Sequence, residues 1–159
     1  MINDASSSRK FSENYFSYLK ILIDELSIEN ISKFIELILQ TRENDKSIYF
    51  IGNGGSASTA SHFVNDISLG SRQFEKPFRA ISLCDNQAVI TAIGNDDGYE
   101  NIFLQQLQTQ AKSGDVLVSI SASGNSPNII KAVNWANSNN IQTVGLSAFD
   151  GGKLSKLVN

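Results

Sequence analysis

The sequence predicts a doubly wound α/β fold, a parallel sheet with helices on both faces and two further helices at the N-terminus. Four short runs, SIYFI, FRAISL, DVLVSI and QTVGL, are β-rich and nearly continuously apolar, as buried parallel strands require. Each run is followed by a segment of helical character, and strict alternation of strand and helix is the pattern of crossover-connected parallel strands. A length of 159 residues with 41% hydrophobic content fits one domain with a core of its own.

The chain begins with a polar, serine-rich stretch, residues 1–11, that reads as a disordered tail and lacks the apolar run of a signal peptide. Tyr15, Leu19, Leu22 and Leu26 then recur at helical spacing, and Ile31, Phe34, Ile35, Ile38 and Leu39 do the same after a break near Ser27. Phe16, Ile23 and Leu37 widen these apolar stripes beyond what one small sheet needs. That width suits packing against another subunit as well as ordinary core burial. From Ser47 the strands alternate with helical segments near 57–68, 87–93, 127–138 and 152–157, and a helix near 100–111 leads into the third strand. Residues 12–159 read as a single domain without internal repeats.

Composition removes several classes of function. Thirteen basic and 16 acidic side chains leave a net charge of -3, unsuited to a dedicated nucleic-acid binder. No apolar stretch is long enough to span a bilayer. Cys84 is the single cysteine, so it has no intrachain disulfide partner and no second thiol for a metal pair. It reads as a small apolar side chain in a reducing compartment, and the expected location is the cytoplasm.

Three loops carry the candidate chemistry. After the first strand comes GNGGSAS, where glycines allow a sharp turn and the following helix offers unpaired N–H groups and the positive end of its dipole to an anion. The loop matches neither a dinucleotide fingerprint nor a Walker loop, and a purely structural turn is the alternative. After the third strand comes SASGNSPN, in which Ser121, Ser123 and Ser126 surround Gly124 and Asn125 ahead of a helix opened by Pro127. Hydroxyl and backbone N–H groups can together satisfy phosphate oxygens, although serine and asparagine also favour plain helix caps. The third, AIGNDDGYE, holds a turn-rich break at 94–98, with Asn95 and Asp96 able to bond sugar hydroxyls or simply to make a turn. Two such loops after strands of one sheet point to a phosphorylated ligand at the strands' carboxyl ends.

His62 and Asp66 lie four residues apart on the helix after the first loop and project from one face. An imidazole and a carboxylate are suitable proton carriers for sugar isomerisation. The same spacing serves a plain surface pair, and two ligands alone do not argue a metal.

The runs GNGGSASTASHF, AIGNDDGYENIF, GDVLVSISASGNSPNIIKAV and GLSAFDGGKLSKL, in this order and spacing, resemble the SIS (sugar isomerase) domain family and within it the phosphoheptose isomerases. The resemblance covers the chain from about Ser12 to its end. It implies a flavodoxin-like three-layer αβα fold, a homotetramer and an aldose–ketose isomerase. The implied reaction interconverts sedoheptulose 7-phosphate and glycero-manno-heptose 7-phosphate, on the way to lipopolysaccharide or capsule heptose. Matched by motif, Asn53, Gly54, Gly55, Ser121, Ala122, Ser123 and Ser126 would line the substrate, and Asn95 and Asp96 would touch the sugar. His62 matches a family histidine that helps to bind zinc in some members, and Asp66 stands where the family has a catalytic glutamate; zinc on His62 and Asp66 is the one cofactor implied. Two departures stand out. Aspartate is one methylene shorter than glutamate, which sets a base back by about 1 Å unless the helix shifts. The family pattern also continues into a further strand and a helix bearing a glutamine and a histidine of the site, and the chain ends at Asn159 without them. Activity at this length is therefore expected to be weak or lost. The alternative function is a non-catalytic adaptor, since one bacterial relative keeps the fold and serves as a partner of the replication initiator.

Overall fold

Ser7 sets the start of the first helix in the computed structural model, which describes residues 7–159. Its backbone is extended and its hydroxyl accepts from the Lys10 N–H at 3.3 Å, the arrangement of a serine N-cap. Helix α1 accordingly spans Ser8–Asp24. The tail expected to be disordered through residue 11 is thus helical from Ser8, while its residues 1–6 lie outside the described residues. Ser27 repeats the device, its hydroxyl accepting from the Asn30 N–H at 3.2 Å, and α2 runs Ile28–Glu43 from the predicted break. No residue of α1 is buried.

The contacts divide the chain into two compact units, Met1–Glu36 and Leu37–Asn159. The first is helical where described. The second holds a four-stranded sheet, all parallel, in the order β2-β1-β3-β4. Its strands are β1 (Ser47–Gly52), β2 (Arg79–Ser82), β3 (Val116–Ile120) and β4 (Gln142–Leu146). Central β1 and β3 are buried throughout, and edge β2 and β4 are partly exposed. That is why the first and third apolar runs are the least interrupted.

Alternate side chains of β1 serve opposite faces. Tyr49 and Ile51 join Leu107 of α5 (Leu104–Gln110) and Ile129, Ala132 and Val133 of α6 (Pro127–Ser138) in the main core. Phe50, in the other direction, stacks on Phe63 of α3 (Gly55–Val64) with ring centroids 5.5 Å apart. α3 passes directly into a π-helical segment, Asn65–Gly70. α4 (Gln87–Asp96) covers the connection toward α5, and a 3-10 turn, Tyr99–Asn101, lies between them. The helix expected over 152–157 is only a 3-10 turn, Leu154–Lys156, because Gly151 and Gly152 both hold positive φ.

The strand order makes the winding reverse between β1 and β3, since the chain leaves β1 to build one edge and returns past it to build the other. Loops leaving the carboxyl ends of strands on either side of such a reversal diverge and open a crevice, where ligands bind in open α/β sheets. In this chain those are the GNGGSAS and SASGNSPN loops.

Candidate functional site

The first loop turns at Gly54, whose φ of 54° with ψ of -121° is open to glycine and closed to residues with a Cβ. Gly54 and Gly55 are exposed, and the start of α3 carries no side-chain cap. Asn53 lies just before the turn and reaches out of the loop. Its side-chain amide pairs reciprocally with that of Asn128 at the start of α6: Asn53 Nδ2 donates to Asn128 Oδ1 at 2.9 Å and Asn128 Nδ2 donates to Asn53 Oδ1 at 2.8 Å. The Tyr99 hydroxyl donates to the same Asn53 Oδ1 at 3.0 Å. One residue of the first loop is thereby tied to the serine loop's helix and to the turn after α4.

The serine loop rests on the chain after β4. The Ser121 N–H donates to the Leu146 carbonyl, the Ala148 N–H to the Ala122 carbonyl and the Leu154 N–H to the Gly124 carbonyl, at 2.9–3.0 Å. Asn125 Oδ1 accepts from the Lys153 N–H at 3.1 Å. These bonds fix the backbone and leave most of the hydroxyls to other uses. Ser126 is the N-cap of α6, yet its side chain makes no capping bond. Ser123 Oγ accepts from the Asn125 N–H at 3.3 Å, and Ser121 is buried at the strand end. Ser121, Ala122, Ser123 and Ser126 thus share one short loop above a helix N-terminus, a suitable donor set for an anion.

His62 Nε2 and Asp66 Oδ2 are 3.3 Å apart, so the predicted pair forms. It is well exposed, with the side chains at 75% and 60% of full accessibility, and Asp66 also accepts from Asn65 Nδ2 at 3.1 Å. Asp66 belongs to the π-helical segment that continues α3. At the rise of a helix, His62 lies about 10 Å along the axis from Gly55. No hydrogen bond or ion pair among the described residues joins this pair to the serine loop.

Asn95 and Asp96 differ from expectation in setting. They end α4 instead of forming an open loop, and Asn95 Nδ2 donates to Asp96 Oδ1 at 2.8 Å. Both are bound to each other and not to the Asn53 network. Tyr99 takes that place, four residues on, and it was not singled out from the sequence; neither was Asn128. A reader could have flagged both as polar groups next to candidate loops. Their partners lie 46 and 75 positions away, and local patterning does not reach that far.

Cys84 is half-buried and its thiol donates to the Gly52 carbonyl at 3.4 Å. Burial pushes its ionisation above the usual thiol range, which keeps it protonated and unsuited to nucleophilic work. A cleft of about 620 Å³ lies between β2, the start of α4 and α5, lined by Ile81, Leu83, Asp85, Asn86, Val89 and Gln106 among others. None of the candidate residues lines it, so topology and hydrogen bonding mark the serine loop, and cavity size does not.

Residues 11–148 match the SIS domain family. A phosphoheptose isomerase from Nitratidesulfovibrio vulgaris is 34% identical over 160 residues, 99% of this chain and 72% of that protein. Another, from Clostridium acetobutylicum, is 41% identical over 134 residues, 84% of this chain and 68% of the relative. Among solved structures, a phosphoheptose isomerase from Neisseria gonorrhoeae superposes with a TM-score of 0.86 at 33% identity, covering 96% of this chain and 82% of the other. Its sheet order, its two loops at the winding reversal and these likenesses agree, and the chain belongs to the SIS domain family, among the phosphoheptose isomerases.

Proposed function

We infer that the chain is a sugar-phosphate isomerase acting on a heptose, interconverting sedoheptulose 7-phosphate and glycero-manno-heptose 7-phosphate. The observation that carries this reading is the meeting of two anion-type loops at the reversal point of a sheet whose relatives are phosphoheptose isomerases. The serine loop suits the phosphate: Ser121, Ala122, Ser123 and Ser126 offer hydroxyl and backbone donors on a backbone already held by the chain after β4. Asn53, Gly54 and Gly55 would face the sugar from the first loop, and Asn95 and Asp96 would approach it from the end of α4.

Moving a carbonyl between neighbouring carbons requires a proton to leave one carbon and another to arrive at the next. Asp66 is the proposed base, and His62, bonded to it, is the proposed acid that returns a proton. A zinc ion held here would use the same two side chains. Two donors fall short of the three or four protein ligands zinc takes, and among the described residues no group of three His, Cys, Asp or Glu comes together. The pair does not by itself make a metal centre.

The reading extends to a homotetramer, supported by an α1 that buries none of its apolar residues. It also extends to a role in supplying heptose for lipopolysaccharide or capsule, and to a cytoplasmic setting, which the single half-buried thiol of Cys84 suits. No described helix is long and apolar enough to cross a membrane. The adaptor alternative is not favoured, because relatives at 34 and 41% identity are named as isomerases.

The test is solvent exchange. Sedoheptulose 7-phosphate incubated with the full-length protein in deuterium oxide should take up deuterium at C2 of the aldose product, and the chain ending at Asn159 should turn over far more slowly. Asp66→Asn should lower turnover by about 100-fold while sugar-phosphate affinity stays within about twofold, because the change keeps the shape and removes the base. Exchange by the variant at the wild-type rate would remove Asp66 from the mechanism.

A further inference from the structure

The two amides at the crevice could in principle pair in either of two ways, with both side chains flipped together. One main-chain group removes that freedom. The Ile129 N–H lies in the first turn of α6, where N–H groups have no carbonyl four residues back, and it donates to Asn128 Oδ1 at 3.0 Å. A main-chain N–H can only donate, so the oxygen of Asn128 must stay where it is. Its Nδ2 then meets Asn53 Oδ1, and the Nδ2 of Asn53 meets Asn128 Oδ1. Tyr99, 3.0 Å from that Asn53 oxygen, has no choice but to donate its hydroxyl proton to it.

An amide oxygen has two lone pairs, and those of Asn53 are taken by Asn128 and Tyr99. An amide nitrogen has two protons, and one is given to Asn128. What the Asn53 side chain can still offer a ligand is a single N–H, and no acceptor.

We propose that Asn128 and Tyr99 are positioning residues that lock the Asn53 amide as a donor-only contact for the substrate's carbonyl oxygen. The identity of that oxygen rests on the isomerase reading; the lock does not. During isomerisation the base removes a proton from the carbon beside the carbonyl. The released electron pair forms a carbon–carbon double bond, and the carbonyl pair moves onto oxygen. A donor fixed beforehand stabilises that oxyanion without reorganising, whereas an amide free to flip would also present its carbonyl dipole to a negative charge. The proton is then delivered to the former carbonyl carbon, and the hydroxyl on the carbon that lost its proton becomes the new carbonyl, its own proton passing to the first oxygen.

Tyr99→Phe is the informative variant, because Tyr99 is 57% exposed and loss of its hydroxyl leaves the core untouched. It should lower kcat about tenfold with KM within about twofold, since the lost orientation matters most in the transition state. In an Asn53→Ala background the same change should cost nothing further, because its whole effect passes through Asn53. Independent losses that multiply would overturn the proposal and place Tyr99 on the substrate itself. A second readout needs no turnover: the 15N order parameter of Asn53 Nδ2 should be high in the wild type and fall in Tyr99→Phe. Equal order in both proteins overturns the lock. If the full-length wild type converts no heptose phosphate, the isomerase reading falls and the order parameter alone decides the positioning.

Discussion

Gly124 shows how one missing side chain sets the serine loop. Its φ of 61° is left-handed, and a Cβ added there would run into the carbonyl oxygen of Gly151, so the two segments touch backbone to backbone. Gly124→Ala should therefore destabilise the protein by about 3 kcal/mol and abolish the thermal stabilisation given by inorganic phosphate. Urea unfolding and a phosphate titration measure the two effects. Full phosphate stabilisation in the variant would place the anion elsewhere. At this scale the sequence was informative where chemistry is local. The cluster of hydroxyls at 121, 123 and 126 is visible by residue type alone, and the His62–Asp66 contact follows from helical spacing. Asn95 and Asp96 look like turn residues, yet α4 runs through them because the helix continues to the positive φ of Gly98. Tyr99 and Asn128 gain meaning only from partners brought in by the fold.

Among the elements, the four strands were legible because burial on both faces imposes a continuous apolar run, which survives any detail of the connections. Helix ends were not so legible. α1 starts at a serine cap inside what looks like a low-order tail, and the segment at 152–157 has helical composition but opens on the positive-φ Gly152, just after the positive-φ Gly151. The widening into a π-helix over Asn65–Gly70 leaves no mark on local apolar spacing. Within β3, Ser119 is fully buried and its hydroxyl has no hydrogen-bond partner among the described residues. A buried hydroxyl without a partner carries a desolvation penalty, so Ser119→Ala should stabilise the fold by about 1 kcal/mol. That corresponds to a rise in Tm of about 3 °C for a chain of this size. A fall of several degrees would show that the hydroxyl has a partner in solution.

For the whole molecule, the apolar width of the N-terminal helices is the feature with the widest reach. Phe16 and Ile23 are 63% and 64% exposed, and Leu26, Ile28, Ile31 and Ile35 are exposed as well. This many exposed large apolar side chains on two helices suits an interface. Light scattering at micromolar concentration should give the mass of a tetramer, and the double variant Phe16→Glu with Ile23→Glu should give a smaller species with unchanged far-ultraviolet circular dichroism. A wild-type monomer would remove the tetramer. The serine loop's dependence on the chain after β4 bears also on synthesis. Its carbonyls at Ala122 and Gly124 are held by the N–H groups of Ala148 and Leu154. A growing chain emerges N-terminus first. Both central strands, β1 and β3, can therefore leave the ribosome while the serine loop still lacks its platform, which arrives only with residues some thirty positions later.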